Sequence, residues 1–263
     1  MPYATIAGER TFYALYQGDV RGKRNLVLMH GAGGSHLDWP SSLRRLGGAS
    51  VYALDLPGHG RTGGTGRVLS LPKGRSSIAA YRDILFAFLD TLSLDRAIVV
   101  GHSMGGAIAL DFALHYPHRL AGLVLVGSGA RLRVSPAILT GILSDFEATV
   151  DLIYDYAYGP GASEQLKRLG RQRMLKTSPE VLYGDYAACD AFDVMERLGE
   201  VHCPTLIIGG TADRLTPSKY SIYLRDHIPG AELVLVDAAG HMVMLERSEA
   251  VTRAISNFIA SLT

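Results

Sequence analysis

Apolar positions along the chain fall into two rhythms, and the switches between them mark the elements. Residues 3 to 17 alternate around Gly8-Glu9-Arg10, with Tyr3-Ala4-Thr5-Ile6 on one side and Thr11-Phe12-Tyr13-Ala14-Leu15-Tyr16 on the other. That pattern predicts an antiparallel hairpin at a sheet edge. Short, continuously apolar runs follow: Leu26 to Met29, Val51 to Leu54, Ala97 to Val100, Leu120 to Val126, Leu206 to Ile208 and Leu233 to Val236. Runs of this length without alternation suit parallel strands buried on both faces.

Helical periods lie between them. They cover Ile78 to Leu92 behind the cap candidates Ser76 and Ser77, Met104 to Tyr116 stopped by Pro117, Pro217 to Ile228, and Ala250 to Leu262. Strands alternating with helices predict an α/β fold with a doubly wound, mostly parallel sheet. The alternation breaks between about residues 129 and 200, where helical stretches follow one another and Pro136, Gly159-Pro160-Gly161 and Pro179 punctuate them. This predicts a helical cap, 129–200, inserted into a core made of 1–128 and 201–263.

Composition narrows the class. With 263 residues, 48% hydrophobic and 19% charged, the chain can bury a large core. Twenty-six Lys and Arg stand against 25 Asp and Glu, with both signs scattered, so no footprint for nucleic acid is present. Cys189 and Cys203 match no metal-ligand spacing and make no disulfide framework, which fits a reducing compartment. The start lacks a basic then apolar leader, and no apolar run approaches the roughly 20 residues of a spanning helix. A cytoplasmic location without stable membrane association is the expectation.

The strongest chemical signal is Gly101-His102-Ser103-Met104-Gly105, placed between a buried strand and an Ala-rich helix. A Gly-x-Ser-x-Gly run in that setting is a nucleophile elbow: the serine sits in a strained turn that only small neighbours permit, and the helix N-terminus favours developing negative charge. A serine hydroxyl needs a base to take its proton, and that base is usually a histidine held by a buried carboxylate. In this arrangement the acid and then the histidine follow the serine in the chain. Asp213 follows the strand Thr205 to Gly209, and His241 follows the strand Leu233 to Val236, both on loops past strand ends. Asp237 and Asp190 are the rival acids. His102 and His30 are read as residues that orient loops.

Acyl transfer also needs oxyanion donors. Met104 N–H supplies one, and the loop His30-Gly31-Ala32-Gly33-Gly34 supplies the other, with Ala32 the best-placed amide and Gly33 the alternative. His30-Gly31-Ala32-Gly33-Gly34, Asp55-Leu56-Pro57-Gly58-His59-Gly60, Gly101 to Gly106, Asp213 and Gly240-His241 together resemble the α/β-hydrolase superfamily, over nearly the whole chain. The resemblance implies the α/β-hydrolase fold, an eight-stranded sheet with helices on both faces and an inserted cap. It is nearest the small bacterial esterase, lipase and carbon–carbon hydrolase branches. Two positions depart from it: Ser248 stands where a Pro often follows Glu246, and the segment from Gly63 to Ser77 is longer and more basic than expected.

Gly58-His59-Gly60-Arg61-Thr62-Gly63 satisfies the dinucleotide pattern but is followed by Gly64, Gly66 and Pro72, which do not open a helix. Arg61, Arg67, Lys73 and Arg75 read as a solvated basic loop. Tyr154, Tyr156 and Tyr158 either line a pocket or pack the cap on the sheet. The expected reaction is hydrolysis of a carboxylic ester with a hydrophobic acyl or aromatic part, needing no cofactor and no metal. Leu139, Leu143, Phe146 and Met242 are the candidate substrate contacts, with Ile138, Phe192 and Met244 nearby. The alternatives are cleavage of a carbon–carbon bond in a β-diketone or dienoic acid by the same triad and, from a different class, a ligand sensor on a hydrolase scaffold. The expected partner is a small hydrophobic ester.

Overall fold

The structure, a computed structural model, describes residues 2–17, 24–63 and 77–262. Arg67, Lys73, Arg75, Ser76 and most of the segment from Gly63 to Ser77 lie outside the described residues. Eight strands form one sheet: β1 (Tyr3–Ile6), β2 (Glu9–Gln17), β3 (Arg24–Met29), β4 (Ala49–Leu54), β5 (Ala97–His102), β6 (Leu120–Val126), β7 (Thr205–Gly210) and β8 (Glu232–Val236). Their order across the sheet is β1-β2-β4-β3-β5-β6-β7-β8. Pairings β1–β2 and β2–β4 are antiparallel, and every pairing from β4 to β8 is parallel. The edge hairpin turns at Ala7-Gly8, one residue earlier than the sequence pattern suggests, because Ala7 and Gly8 both take positive φ (49° and 87°).

The apolar strands are covered on both faces. Val27, Met29, Val99, Leu123, Leu125 and Ile207 pack toward α2 (Ile78–Thr91) and α3 (Met104–His115). Leu26, Leu28, Ile98, Val100, Val124 and Ile208 pack toward α10 (Ser248–Ser261) and the single turn α1 (Ser41–Arg44) on the other side. Period-2 alternation therefore sends successive apolar residues into two separate cores, which is why these runs contain no polar position. Ser77 caps α2 by accepting from Ala80 N at 3.1 Å.

Between β6 and β7 the chain forms four successive helices, α4 (Pro136–Ser144), α5 (Phe146–Ala157), α6 (Glu164–Met174) and α7 (Pro179–Asp190). Each start is signalled locally: Pro at the first turn of α4 and α7, and side-chain caps from Asp145, Ser163 and Ser178. A small core of Ile138, Ile142, Val150, Ile153, Met174 and Leu182 joins them. The remaining helices are α8 (Ser218–His227), the single turn α9 (Val243–Glu246) and α10. Helix α10 begins at Ser248, two residues before the apolar period starts, and Glu246 ahead of it receives the amides of Gly159 and Gly240 at 3.0 and 3.1 Å. Cys189 is buried and Cys203 partly exposed, both as free thiols. Among the described residues no helix is long and apolar enough to cross a membrane.

Candidate active site

Strand β5 ends at His102 and α3 begins at Met104, so Ser103 alone makes the corner, at φ 52° and ψ −116°. A non-glycine residue at positive φ costs about 1–3 kcal/mol and persists only where its surroundings over-determine it. Here they do. Ser103 N–H donates to Val126 O at 3.0 Å, and Ser103 O accepts from Gly106 N at 2.9 Å, Ala107 N at 3.1 Å and Ser128 Oγ at 2.8 Å. A β-carbon on Gly101 would lie 2.1 Å from Gly105 O, and one on Gly105 would lie 2.1 Å from Met29 O. The glycines of the pentapeptide are thus required by close backbone approach.

His241 and Asp213 come together from the loops after β8 and β7. His241 Nδ1–H donates to Asp213 Oδ2 at 2.9 Å, with both residues buried. Asp213 Oδ1 accepts from Leu215 N (2.8 Å) and Thr216 N (2.9 Å), the local turn an aspartate makes two residues ahead of itself. Burial works against the Asp213 carboxylate, but the adjoining His241 and the Thr216 donors outweigh it and hold its pKa below the usual carboxylate value. Thr216 Oγ lies 2.8 Å from Asp213 Oδ2, 2.9 Å from Gly127 O and 3.1 Å from His241 Nδ1, so its one proton and its lone pairs fix the acid and the base together. The rival acids have other partners: Asp237 is exposed and bonded to Thr211 Oγ1, and Asp190 accepts from Val134 N.

His102 and His30 are both buried and neutral. Burial, with His241 beside it, pushes His102 down to about 3, and its Nε2–H donates to the His241 carbonyl at 3.0 Å. Burial, with His59 beside it, pushes His30 down to about 4. His30 Nδ1–H donates to Gly31 O at 2.8 Å, while its Nε2 accepts from Leu56 N at 3.1 Å.

The candidate amides of the loop after β3 differ in their hydrogen bonds. Gly33 N–H donates to Asp185 Oδ2 at 2.9 Å, and Gly34 N–H to Gly31 O at 3.1 Å, so neither can face a substrate. Ala32 N–H has no acceptor among the described residues, and Ala32 borders the cavity with Ser103. Met104 N–H is a first-turn amide of α3, with no partner inside the helix.

Ser103 and His241 open into one cavity of about 350 Å³ under the helical insertion. Met242 borders it as expected, but Leu139, Leu143 and Phe146 do not. Ile138 takes their place. On α4 the inward stripe is Ile138 and Ile142, and a shift of one residue turns a side chain by about 100°, which leaves Leu143 58% exposed. Phe192 and Met244 are core residues. Tyr154 and Tyr156 border the cavity, whereas Tyr158 packs into the sheet core. Three cations, Arg133, Arg173 and Arg214, and one acid, Asp38, also border it. Burial raises the Asp38 carboxyl to about 6, and Arg173 lies 3.8 Å from it. Gly58 to Gly63 forms a turn closed by Gly58 N to Gly63 O at 2.9 Å. Its arginine, Arg61, donates its amide to Asp55 Oδ2.

Thr216, Asp185 and the arginines are not singled out by any motif in the sequence. The readable trace of Asp185 is its place on the apolar face of α7, in register with Val181, Leu182, Ala188 and Cys189.

The alpha/beta hydrolase family model matches residues 26–254. The chain is 27% identical to a 2-hydroxy-6-oxo-6-phenylhexa-2,4-dienoate hydrolase of Burkholderia cepacia, over 90% of this chain and 87% of that one. It is 28% identical to a 2-hydroxy-6-oxononadienedioate/2-hydroxy-6-oxononatrienedioate hydrolase of Burkholderia vietnamiensis (strain G4 / LMG 22486), over 98% and 94%. Among solved structures, a thermophilic esterase superposes with a TM-score of 0.83 at 32% identity, covering 99% of this chain and 97% of that one.

Proposed function

The chain belongs to the alpha/beta hydrolase family and is a hydrolase, and from that premise we propose that it cleaves carboxylic esters of hydrophobic acyl or aromatic substrates through an acyl-enzyme on Ser103. One observation carries this reading: the strained Ser103 corner opens into the same cavity as His241, whose Nδ1 is held by the buried Asp213. Ser103 Oγ attacks the ester carbonyl carbon while His241 Nε2 takes its proton. The carbonyl π electrons move onto oxygen, where the Ala32 and Met104 amides receive the charge. Collapse breaks the bond to the alcohol oxygen, which takes the proton back from His241. Water, deprotonated by His241, then attacks the acyl carbon and releases the acid and free Ser103. Asp213 and Thr216 keep Nδ1 protonated, so that Nε2 is the free base throughout. The insertion, taken as a cap over residues 129–200, supplies Ile138, Ile153 and Met174 as an apolar wall for the acyl or aromatic part.

A second reading is favoured by the charge at the cavity. Arg133, Arg173 and Arg214 against Asp38 alone suit an anionic substrate, and the same triad could then serve cleavage of a carbon–carbon bond in a dienoic acid. A p-nitrophenyl ester series from acetate to decanoate, run beside a 6-phenyl-2-hydroxy-6-oxo-dienoate, separates the two. Best turnover on a medium or long acyl chain supports the esterase. Dienoate turnover exceeding every ester by tenfold or more, or acetate exceeding every longer ester, overturns it.

A further inference from the structure

The triad leaves unused a second buried acid–histidine pair, on the far side of the oxyanion loop. Asp185, on α7 of the insertion, and His59, in the loop after β4, are both fully buried, with His59 Nε2 2.7 Å from Asp185 Oδ2. His59 Nδ1–H donates to Pro57 O at 3.0 Å. That bond fixes the proton on Nδ1, so against an ionised Asp185 the ring donates from Nε2 as well. A histidine with both nitrogens donating is an imidazolium. Burial opposes charge on both partners, yet each holds the other ionised: the pKa of His59 stays above its ordinary value and that of Asp185 below. Asp185 receives two further donors, Tyr81 O–H on Oδ1 at 2.7 Å and Gly33 N–H on Oδ2 at 2.9 Å.

The Gly33 bond gives the cluster its bearing on chemistry. Gly33 has φ +65°, and a β-carbon there would lie 2.5 Å from Leu182 Cδ1 of α7 and 3.2 Å from Met174 Cγ of α6. Its carbonyl accepts from Thr177 Oγ1, between those helices, at 3.3 Å. The insertion therefore holds both peptide groups of Gly33, one through Asp185 and one through Thr177. The preceding peptide group is held from the core, by His30 Nδ1–H on Gly31 O. In a trans peptide the C=O and N–H point opposite ways, so fixing Gly31 O turns Ala32 N–H away from His30. The two anchors adjoin at Ala32.

We propose that Asp185, ionised against His59, is a positioning residue for the oxyanion hole: through Gly33 N–H it holds the peptide group that follows Ala32, so that together with the His30 anchor before it the direction of Ala32 N–H is set and transition-state stabilisation depends on the seated insertion. This rests on the esterase reading of Ser103 and Ala32. A carboxylate suits this place because three donors converge on it; an amide of the same shape keeps one acceptor oxygen, carries no charge to hold His59 ionised, and turns an N–H toward the Tyr81 hydroxyl in place of an acceptor.

The test is Asp185→Asn, compared with wild type for kcat, KM, Tm and the affinity of phenylboronic acid, whose tetrahedral adduct on the serine places an oxygen where the oxyanion forms. The expected result is a fall in kcat of roughly 30-fold with KM changed less than about threefold, and a boronate affinity that falls in parallel with kcat. Tm should drop by roughly 5–10 °C. Thr177→Val, which frees only the Gly33 carbonyl, keeps the test alive should Asp185→Asn not fold, with an expected kcat loss of roughly threefold at unchanged KM. Ile142→Ala, buried in the insertion core away from the cavity, controls for loosening alone. Equal losses of kcat and boronate affinity in that control, or a folded Asp185→Asn within twofold of wild type on both, overturns the proposal. Wild type that neither turns over esters nor binds boronate overturns the esterase reading and this inference together, whereas an active wild type with an indifferent variant overturns this inference only.

Discussion

The two sides of the cavity beside Ser103 are held by different parts of the chain. On one side, Ser103 is fixed by the sheet and its adjoining helix: Val126 O takes its amide, and the close contacts at Gly101 and Gly105 leave no room for a side chain at either position. On the other side, the loop from Gly31 to Gly34 is fixed half by the core, through His30, and half by the insertion, through Asp185 and Thr177. The base loop is intermediate. Its His241–Asp213–Thr216 cluster belongs to the core, but Met242 N–H donates to Ala157 O of the insertion at 3.1 Å. Ser103 is thus held by the sheet and its helix, while the Gly31–Gly34 loop and the His241 loop also take hydrogen bonds from the insertion.

The comparison can be broken from the core side first. Asp213→Asn should lower kcat by about 10⁴-fold, because the amide lets His241 take the wrong tautomer, while the fold remains. Steady-state ester kinetics and a thermal melt check it. Thr216→Val removes the hydroxyl that touches Asp213, His241 and Gly127 while keeping volume. It should reduce kcat by roughly tenfold and stability by about 1–3 kcal/mol, read from urea unfolding.

The smallest effect is one of pH, and it sharpens the insertion side. The pKa of Asp185 is depressed below 3.8, so its contribution is present above that value and is lost as pH falls through the folded value. The pKa of His59 is raised above 6.5, so its contribution is present below 6.5 and is lost as pH rises through the folded value. Asp55, His30 and Tyr81 surround the pair. The Tm difference between wild type and Asp185→Asn should therefore be largest between about pH 4 and 6.5 and shrink on the alkaline side, measured by scanning calorimetry.

What could be read from sequence follows the same division. The strands and the elbow are local: apolar runs, a Gly-x-Ser-x-Gly corner and a histidine just past a strand each carry their own signature. Asp213 was readable because its turn lies directly beyond β7. The loop from His30 to Gly34 is legible as a loop, with Ala32 its best-placed amide and Gly33 the alternative, but the bond that engages Gly33 is not, since its partner sits 152 residues away and nothing in the loop announces it. The insertion was readable as helices but not in phase. Leu139 and Leu143 each follow by one residue the buried stripe of α4, where Ile138 borders the cavity and Ile142 packs in the insertion core, and only packing against α5 and α7 sets that rotation.

The most direct test of the account is labelling of the folded protein with a fluorophosphonate, followed by peptide mass spectrometry, beside Ser103→Ala and the p-nitrophenyl ester series. The account predicts one adduct, on Ser103, with labelling and ester turnover lost together in the variant. Wild type that is folded yet unlabelled, or an adduct on another residue with turnover surviving in Ser103→Ala, would contradict it.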